Sequence, residues 1–195
     1  MSVELERLAH QTEERPAPGP LLAVQAFANT IDVEDGIERL ESVESYRDWL
    51  RDSGLGARGV SVSEADLRAA RELRDTVRAL LAANERGTTD RTAAKALAAT
   101  AERTPAALTV DAEGRLEPDL SPVKRAGDLI PRLLAVIFQA QLEQTWPRLK
   151  LCENPDCLWA FYDSSKNRSG SWCQMGVCGN RLKNRAYRER LKRRR

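Results

Sequence analysis

Four cysteines, Cys152, Cys157, Cys173 and Cys178, crowd into 27 of the chain's 195 residues. The pattern C-x4-C-x15-C-x4-C offers two short pairs joined by a spacer of hairpin length, which lets each pair wrap one side of a tetrahedral ion. Disulfides are the other use of paired cysteines. The amino terminus, MSVELERLAHQTEERPAPGP, is acidic early and has no apolar h-region. Neither a secretory nor a transit peptide is expected, a cytoplasmic location is the default, and disulfides are disfavoured there. The expectation is one Zn2+ held by all four thiolates at about 2.3 Å, a closed and therefore structural site.

The residues between the cysteines suggest how the site is built. Asn154-Pro155-Asp156 is turn chemistry suited to a zinc knuckle. Leu158 to Tyr162 reads as a strand, Asp163 to Gly170 as a hairpin loop, and Ser171-Trp172 as the returning strand into Cys173. Cys178 then opens a helix, whose positive end lies beside a site of formal charge −2. Knuckle, hairpin and helix-start ligands together describe a treble-clef-like finger. Trp159, Phe161, Tyr162 and Trp172 fit either stacking on unpaired bases or packing; a module this small needs them for its core.

Charge divides the chain. The net charge is +2, yet residues 148–195 carry 13 Lys and Arg against 4 Asp and Glu, leaving −7 on residues 1–147. A boundary is expected near Trp146-Pro147, with a flexible leader over 1–20, a helical domain over 21–147 and the finger over 148–195. The overall class expected is mainly α, with one small β-hairpin in the N-terminal domain and a basic helix at the C-terminus. Leu21 to Ile31 fits a strand or a helical turn. Ser42 to Leu50 fits a short amphipathic helix, and Gly54, Gly56 and Gly59 mark a loop. Ser63-Glu64-Ala65-Asp66 resembles a capping box before Leu67, Ala70, Leu73, Val77, Leu80 and Leu81, spaced as one helical stripe. Arg91 to Glu102 fits a second helix, and Asp111-Ala112-Glu113-Gly114 fits the turn of the hairpin. Asp128 is placed to cap a third long helix, with Leu133, Leu134, Ile137, Phe138, Gln141 and Leu142 on its buried side.

On a helical wheel Arg181, Arg185, Arg188, Lys192 and Arg195 fall within a stripe of about 80°. A zinc-anchored helix carrying such a line, with Lys183 and the loop residue Arg168 nearby, suits phosphates and guanine edges in a DNA major groove. The same charge fits RNA, a partner protein, a solvated tail or the acidic N-terminal domain. Arg181, close to a ligand cysteine, also fits a buttress within the module.

The run CENPDCLWAFYDSSKNRSGSWCQMGVCGNRLKNRAYRER resembles the CGNR zinc-finger family, through Cys178-Gly179-Asn180-Arg181, Phe161-Tyr162-Asp163 and Trp172-Cys173. In that family an ABATE domain precedes the finger, and Ala28-Asn29-Thr30 with the later Trp49-Leu50 resembles its opening. The resemblance implies a transcriptional regulator with a DNA-binding finger. Ser169-Gly170-Ser171 precede Trp172 where the family commonly carries adjacent arginines, which leaves Arg168 as the one nearby base.

Enzymatic chemistry finds little support. The single histidine, His10, lies in the leader, GLGARG at 54–59 lacks the Lys-Ser/Thr of a phosphate loop, and adjacent carboxylates such as Glu34-Asp35 do not converge on one substrate. The longest apolar run, Leu133 to Phe138, is too short for a membrane span. An N-terminal domain this large has room for a small-molecule effector or a homodimer contact, the latter through the first long helix. Asn29 and Thr30, polar in an apolar context, are candidates for a ligand pocket or for a cap.

Overall fold

The computed structural model describes residues 15–180. In it the ambiguous apolar stretch becomes α1 (Leu21–Ala28), all eight residues of which are buried. A helix apolar nearly all round belongs in the middle of a core. Residues 15–20, expected within a flexible leader, are held against it: Ala17 is buried, and its N–H donates to Gln25 Oε1 at 2.6 Å. An antiparallel ribbon of β1 (Ile31–Asp32) and β2 (Ile37–Glu38) leads to α2 (Val43–Asp52). Ser42 caps α2 by accepting the Ser45 N–H at 3.1 Å, and Tyr46, Trp49 and Leu50 are its buried face.

The glycine-rich stretch expected as a loop contains β3 (Gly56–Ser61). A Cβ on Gly56 would lie 2.8 Å from that of Leu50, so the missing side chain is what lets β3 approach α2. Next, α3 (Glu64–Arg86) starts at the expected capping box: Asp66 N–H donates to Ser63 Oγ at 3.2 Å and Ser63 N–H to Asp66 Oδ2 at 2.9 Å. It ends at Gly87, whose φ of 62° suits glycine. Leu67, Ala70, Leu73, Val77 and Leu81 are buried in the core, so the stripe offered as a dimer contact is already used. Asp90 caps α4 (Arg91–Arg103), which buries only Ala93.

β4 (Leu108–Val110) and β5 (Leu116–Pro118) form the expected hairpin, with Asp111 accepting N–H groups from Glu113 and Arg115 in its turn. β6 (Val123–Arg125) pairs in parallel with β3 across more than 60 residues of sequence, a partnership that no local pattern announces. α5 (Leu129–Leu142) departs from expectation twice. Asp128 makes no side-chain cap, because a 3-10 turn at Ala126–Asp128 feeds the helix directly. Leu133, Leu134 and Ile137 are buried, but Phe138, Gln141 and Leu142 face outward.

Finally β7 (Leu149–Leu151) pairs antiparallel with β8 (Ala160–Tyr162). Among the described residues the chain thus has five α-helices and four two-stranded sheets. The N-terminal region is mixed α/β where a mainly α domain with one hairpin was expected, since strands of two to six residues are too short to show a period of two. One large core joins α1, α2, α3 and α5 and takes in Leu149, Leu151 and Ala160 of β7 and β8. A second, small core surrounds Cys152, Cys157 and Cys178, with Trp159, Trp172 and Cys173 against it. Among the described residues no helix is long and apolar enough to cross a membrane.

Candidate metal centre

The knuckle sits at the tip of a hairpin. β7 runs directly into Cys152, the turn through Asn154 closes with Cys157 and Leu158 N–H groups both donating to Asn154 O at 3.0 Å, and β8 returns alongside β7. The expected pairing of the 158–162 strand with Ser171-Trp172 is therefore corrected: β8 pairs with β7. Ser171 meets the knuckle through its carbonyl, which accepts the Glu153 N–H at 2.8 Å. Strand alternation supplies the reason, since Leu149 and Leu151 point into the large core and draw β8 onto the same face of it.

All four sulfurs lie within 4.8 Å of one another, and Cys173 Sγ is 3.7 Å from the sulfurs of both Cys157 and Cys178. A tetrahedral ion with Zn–S bonds of about 2.3 Å sets its sulfurs about 3.8 Å apart, so the donor set fits zinc in chemistry and in spacing. The surroundings suit a site of net negative charge. Cys152 sulfur takes backbone N–H bonds from Cys173 and Asn154, Cys157 sulfur takes one from Trp159, and buried Asn154 sends its Nδ2 toward Cys178 Sγ at 3.7 Å. Arg78 of α3 donates to Ala28 O at 2.8 Å and Leu158 O at 3.0 Å, which holds a half-buried cation beside the knuckle. The sulfurs share protons unequally: hydrogen bonds from Cys157 and Cys173 hold the Cys152 thiol far below the usual range, while the bond to Cys152 pushes Cys157 up to about 12 and Cys152 and Cys157 push Cys173 up as well. A divalent cation among them would favour the thiolate form of all four.

A buried ion pair that the sequence did not disclose holds the loop between the two halves of the site. Lys150 and Asp163 are almost fully buried, with Lys150 Nζ 2.8 Å from Asp163 Oδ2 and donating also to the carbonyls of Arg168 and Gly170. Asp163 in turn accepts N–H groups from Ser165 and Gly170. Burial pushes its carboxyl up, but the Lys150 ammonium and the Ser165 and Gly170 bonds outweigh burial and hold it below the usual carboxylate range. Gly170 is needed for the approach, since a Cβ there would lie 2.7 Å from Asp163 Oδ1. Arg168, exposed and at φ 53°, lies on this loop.

Cys178 lies within a helical turn, Met175–Gly179, and not at its first residue as expected. The Trp172 ring lies 3.2 Å from where a Gly179 Cβ would be, so Trp172 and Gly179 are packing partners. Arg181, Lys183, Arg185, Arg188, Lys192 and Arg195 lie outside the described residues.

Asn29 has a role that its local sequence did not suggest. Its amide brackets one peptide group of β8, accepting the Ala160 N–H at 2.7 Å and donating to Ala160 O at 2.9 Å. Gln25 adds a second donor to Ala160 O at 3.1 Å, and Arg15 O accepts the Tyr162 N–H. Asn29 also lines a cleft of ≈560 Å³ shared by the acidic β1–β2 turn and the finger, including Asp32, Asp35, Trp159 and Gln174. Thr30 is fully buried and does not line it; its hydroxyl donates to Phe27 O at 2.8 Å, a local cap. Asn29→Ala leaves the Ala160 N–H without its partner and is expected to lower the unfolding free energy by about 2 kcal/mol. Urea unfolding at unchanged zinc content measures this, and an unmoved midpoint would show that the bracket contributes nothing.

Comparison with known families gives two matches. Residues 148–191 match the CGNR zinc finger, and residues 22–142 match the ABATE family, described as "Putative stress-induced transcription regulator". No curated protein matches the chain.

Proposed function

Since the chain belongs to the ABATE family of transcription regulators and carries a CGNR zinc finger, we propose that it is a zinc-dependent DNA-binding regulator. The observation that carries this reading is the gathering of four sulfurs within 4.8 Å immediately ahead of an Arg-rich segment. Cys152, Cys157, Cys173 and Cys178 hold one Zn2+, which supplies structural cross-linking and no open coordination position. Arg181, Lys183, Arg185, Arg188, Lys192 and Arg195, with Arg168 on the exposed loop, contact DNA. Neutralising several phosphates makes binding fall steeply with salt, while guanidinium contacts to guanine edges supply sequence choice. An effector in the ≈560 Å³ cleft would touch both the β1–β2 turn and the finger, which makes the cleft the place where a small molecule could alter DNA binding.

Selection of duplexes from a random pool by the zinc-loaded full-length protein, at near-physiological salt, is expected to enrich a motif. Replacing Arg185 and Arg188 together by alanine should weaken binding and flatten the slope of log affinity against log salt by about 2. Binding without enrichment would favour an RNA ligand. Absence of any nucleic-acid binding would make the finger a protein-interaction module.

A further inference from the structure

Apolar side chains stand exposed on the β4–β5 hairpin and on the outer half of α5, and nothing among the described residues covers them, whereas Pro118 at the base of the hairpin is buried. The register Leu108↔Pro118 and Val110↔Leu116 puts those four side chains on one side of the hairpin. Leu108, Val110 and Leu116 are 51%, 59% and 70% exposed. The base of the hairpin is fastened to the start of α5, where Ala107 N–H donates to Pro131 O at 3.0 Å and Arg132 pairs with Asp119 at 3.1 Å. From Pro131 the helical repeat leads along one stripe to Phe138 and Leu142, 58% and 68% exposed. The hairpin is thus anchored at the start of the helix whose outer half carries Phe138 and Leu142. Phe138 and Leu142, placed on the buried side of α5 by the sequence pattern, are apolar for a reason that the described residues do not supply.

We propose that this face is an isologous interface with a second copy of the chain. Its five exposed side chains present roughly 500 Å² of surface, so two copies would bury about 1,000 Å² from these residues alone, the size at which specific interfaces begin. A two-stranded hairpin is marginal in water and gains from being covered. The five side chains are uncharged, so the patch is complementary to itself and needs no partner of opposite charge. The choice of a second copy rests also on the DNA-binding reading. One small finger reaches few base pairs, and two-fold pairing gives the regulator two half-sites. The α3 stripe, the other candidate, lies in the core.

The test is sedimentation of the zinc-loaded full-length protein without DNA, from sub-micromolar to hundreds of micromolar. The wild type is expected at twice the monomer mass. Leu116→Lys on the hairpin and Phe138→Glu on the helix are each expected to weaken association about a hundredfold, with unchanged far-ultraviolet circular dichroism and zinc content. The two variants lie on separate elements, so a folding failure in one leaves the other to decide. A wild type that is monomeric throughout, or a dimer unaffected by the variants, overturns the proposal. With DNA absent, a dimer broken by these variants supports the interface even if no motif is selected, and a monomer refutes it even if one is.

Discussion

Cys173→Ser is expected to strip the protein of zinc and to dissolve the smaller of its two cores while the larger stays folded. Cys173 is the hub of the cluster, 3.7 Å from the sulfurs of both Cys157 and Cys178, so its loss opens the coordination sphere toward both halves of the site. Structural zinc contributes about 10–16 kcal/mol of apparent binding free energy in zinc-finger peptides, far more than a small second core of three cysteines and two tryptophans can replace. β7 and β8 belong to the large core, through Leu149, Leu151 and Ala160, and are held besides by Asn29 and Gln25. The boundary of unfolding should therefore fall within the finger, beyond β7 and β8, and not at its junction with the N-terminal domain. Metal analysis should fall from one zinc per chain to almost none. Amide exchange should accelerate in the knuckle and over 171–180 but not in β7. Retention of one zinc would refute the four-ligand assignment, and exchange spreading through α1 and α3 would refute the separation of the cores.

The second large effect is expected from Lys150→Ala, which leaves Asp163 buried and ionised without its cation. Removing one partner of a buried pair costs about 3–5 kcal/mol, or a fall in Tm on the order of 10 °C for a chain of this size. Three acceptors, Asp163 and the carbonyls of Arg168 and Gly170, lose their donor together, so the 163–170 loop should loosen as well. The sign of the pH dependence follows from the direction of the Asp163 shift. In the wild type its carboxyl is held below the usual range, so the pair's contribution is present at neutral pH and is lost only as acid protonates the folded form. In the variant only the Ser165 and Gly170 bonds oppose burial, so Asp163 takes up a proton earlier than in the wild type, and the deficit should be largest near neutral pH and narrow on acidification. Urea unfolding across that range measures both. A variant as stable as the wild type at neutral pH would show that water reaches Asp163.

The four-cysteine cluster was the most legible part of this protein because its signal is local and compositional. Four sulfurs at short, paired spacing can do few things, and the structure gathers them within 4.8 Å. The α3 capping box and the 108–118 hairpin were equally readable, since both are completed within a few residues of sequence. What failed to show were features whose partners lie far apart. The β3–β6 pair joins strands more than 60 residues apart, and Asn29 meets Ala160 across 131 residues. Lys150 is one of 13 Lys and Arg in residues 148–195, and nothing in its neighbourhood of sequence marks it as the partner of Asp163, 13 residues on.

By itself the sequence determined the four-cysteine cluster, most of the local turns and caps, and the division of charge between the two parts of the chain, because residue type and spacing carry those directly. Only the tertiary structure decided which apolar faces are spent and which polar groups are satisfied. The α3 stripe disappears into the core while Phe138 and Leu142, equally apolar and equally periodic, remain outside. Burial is a property of what packs against a face, and helical periodicity states only that a face exists. The same holds for Asn29, whose amide brackets a strand of the finger across 131 residues of sequence, a use that no local pattern announces.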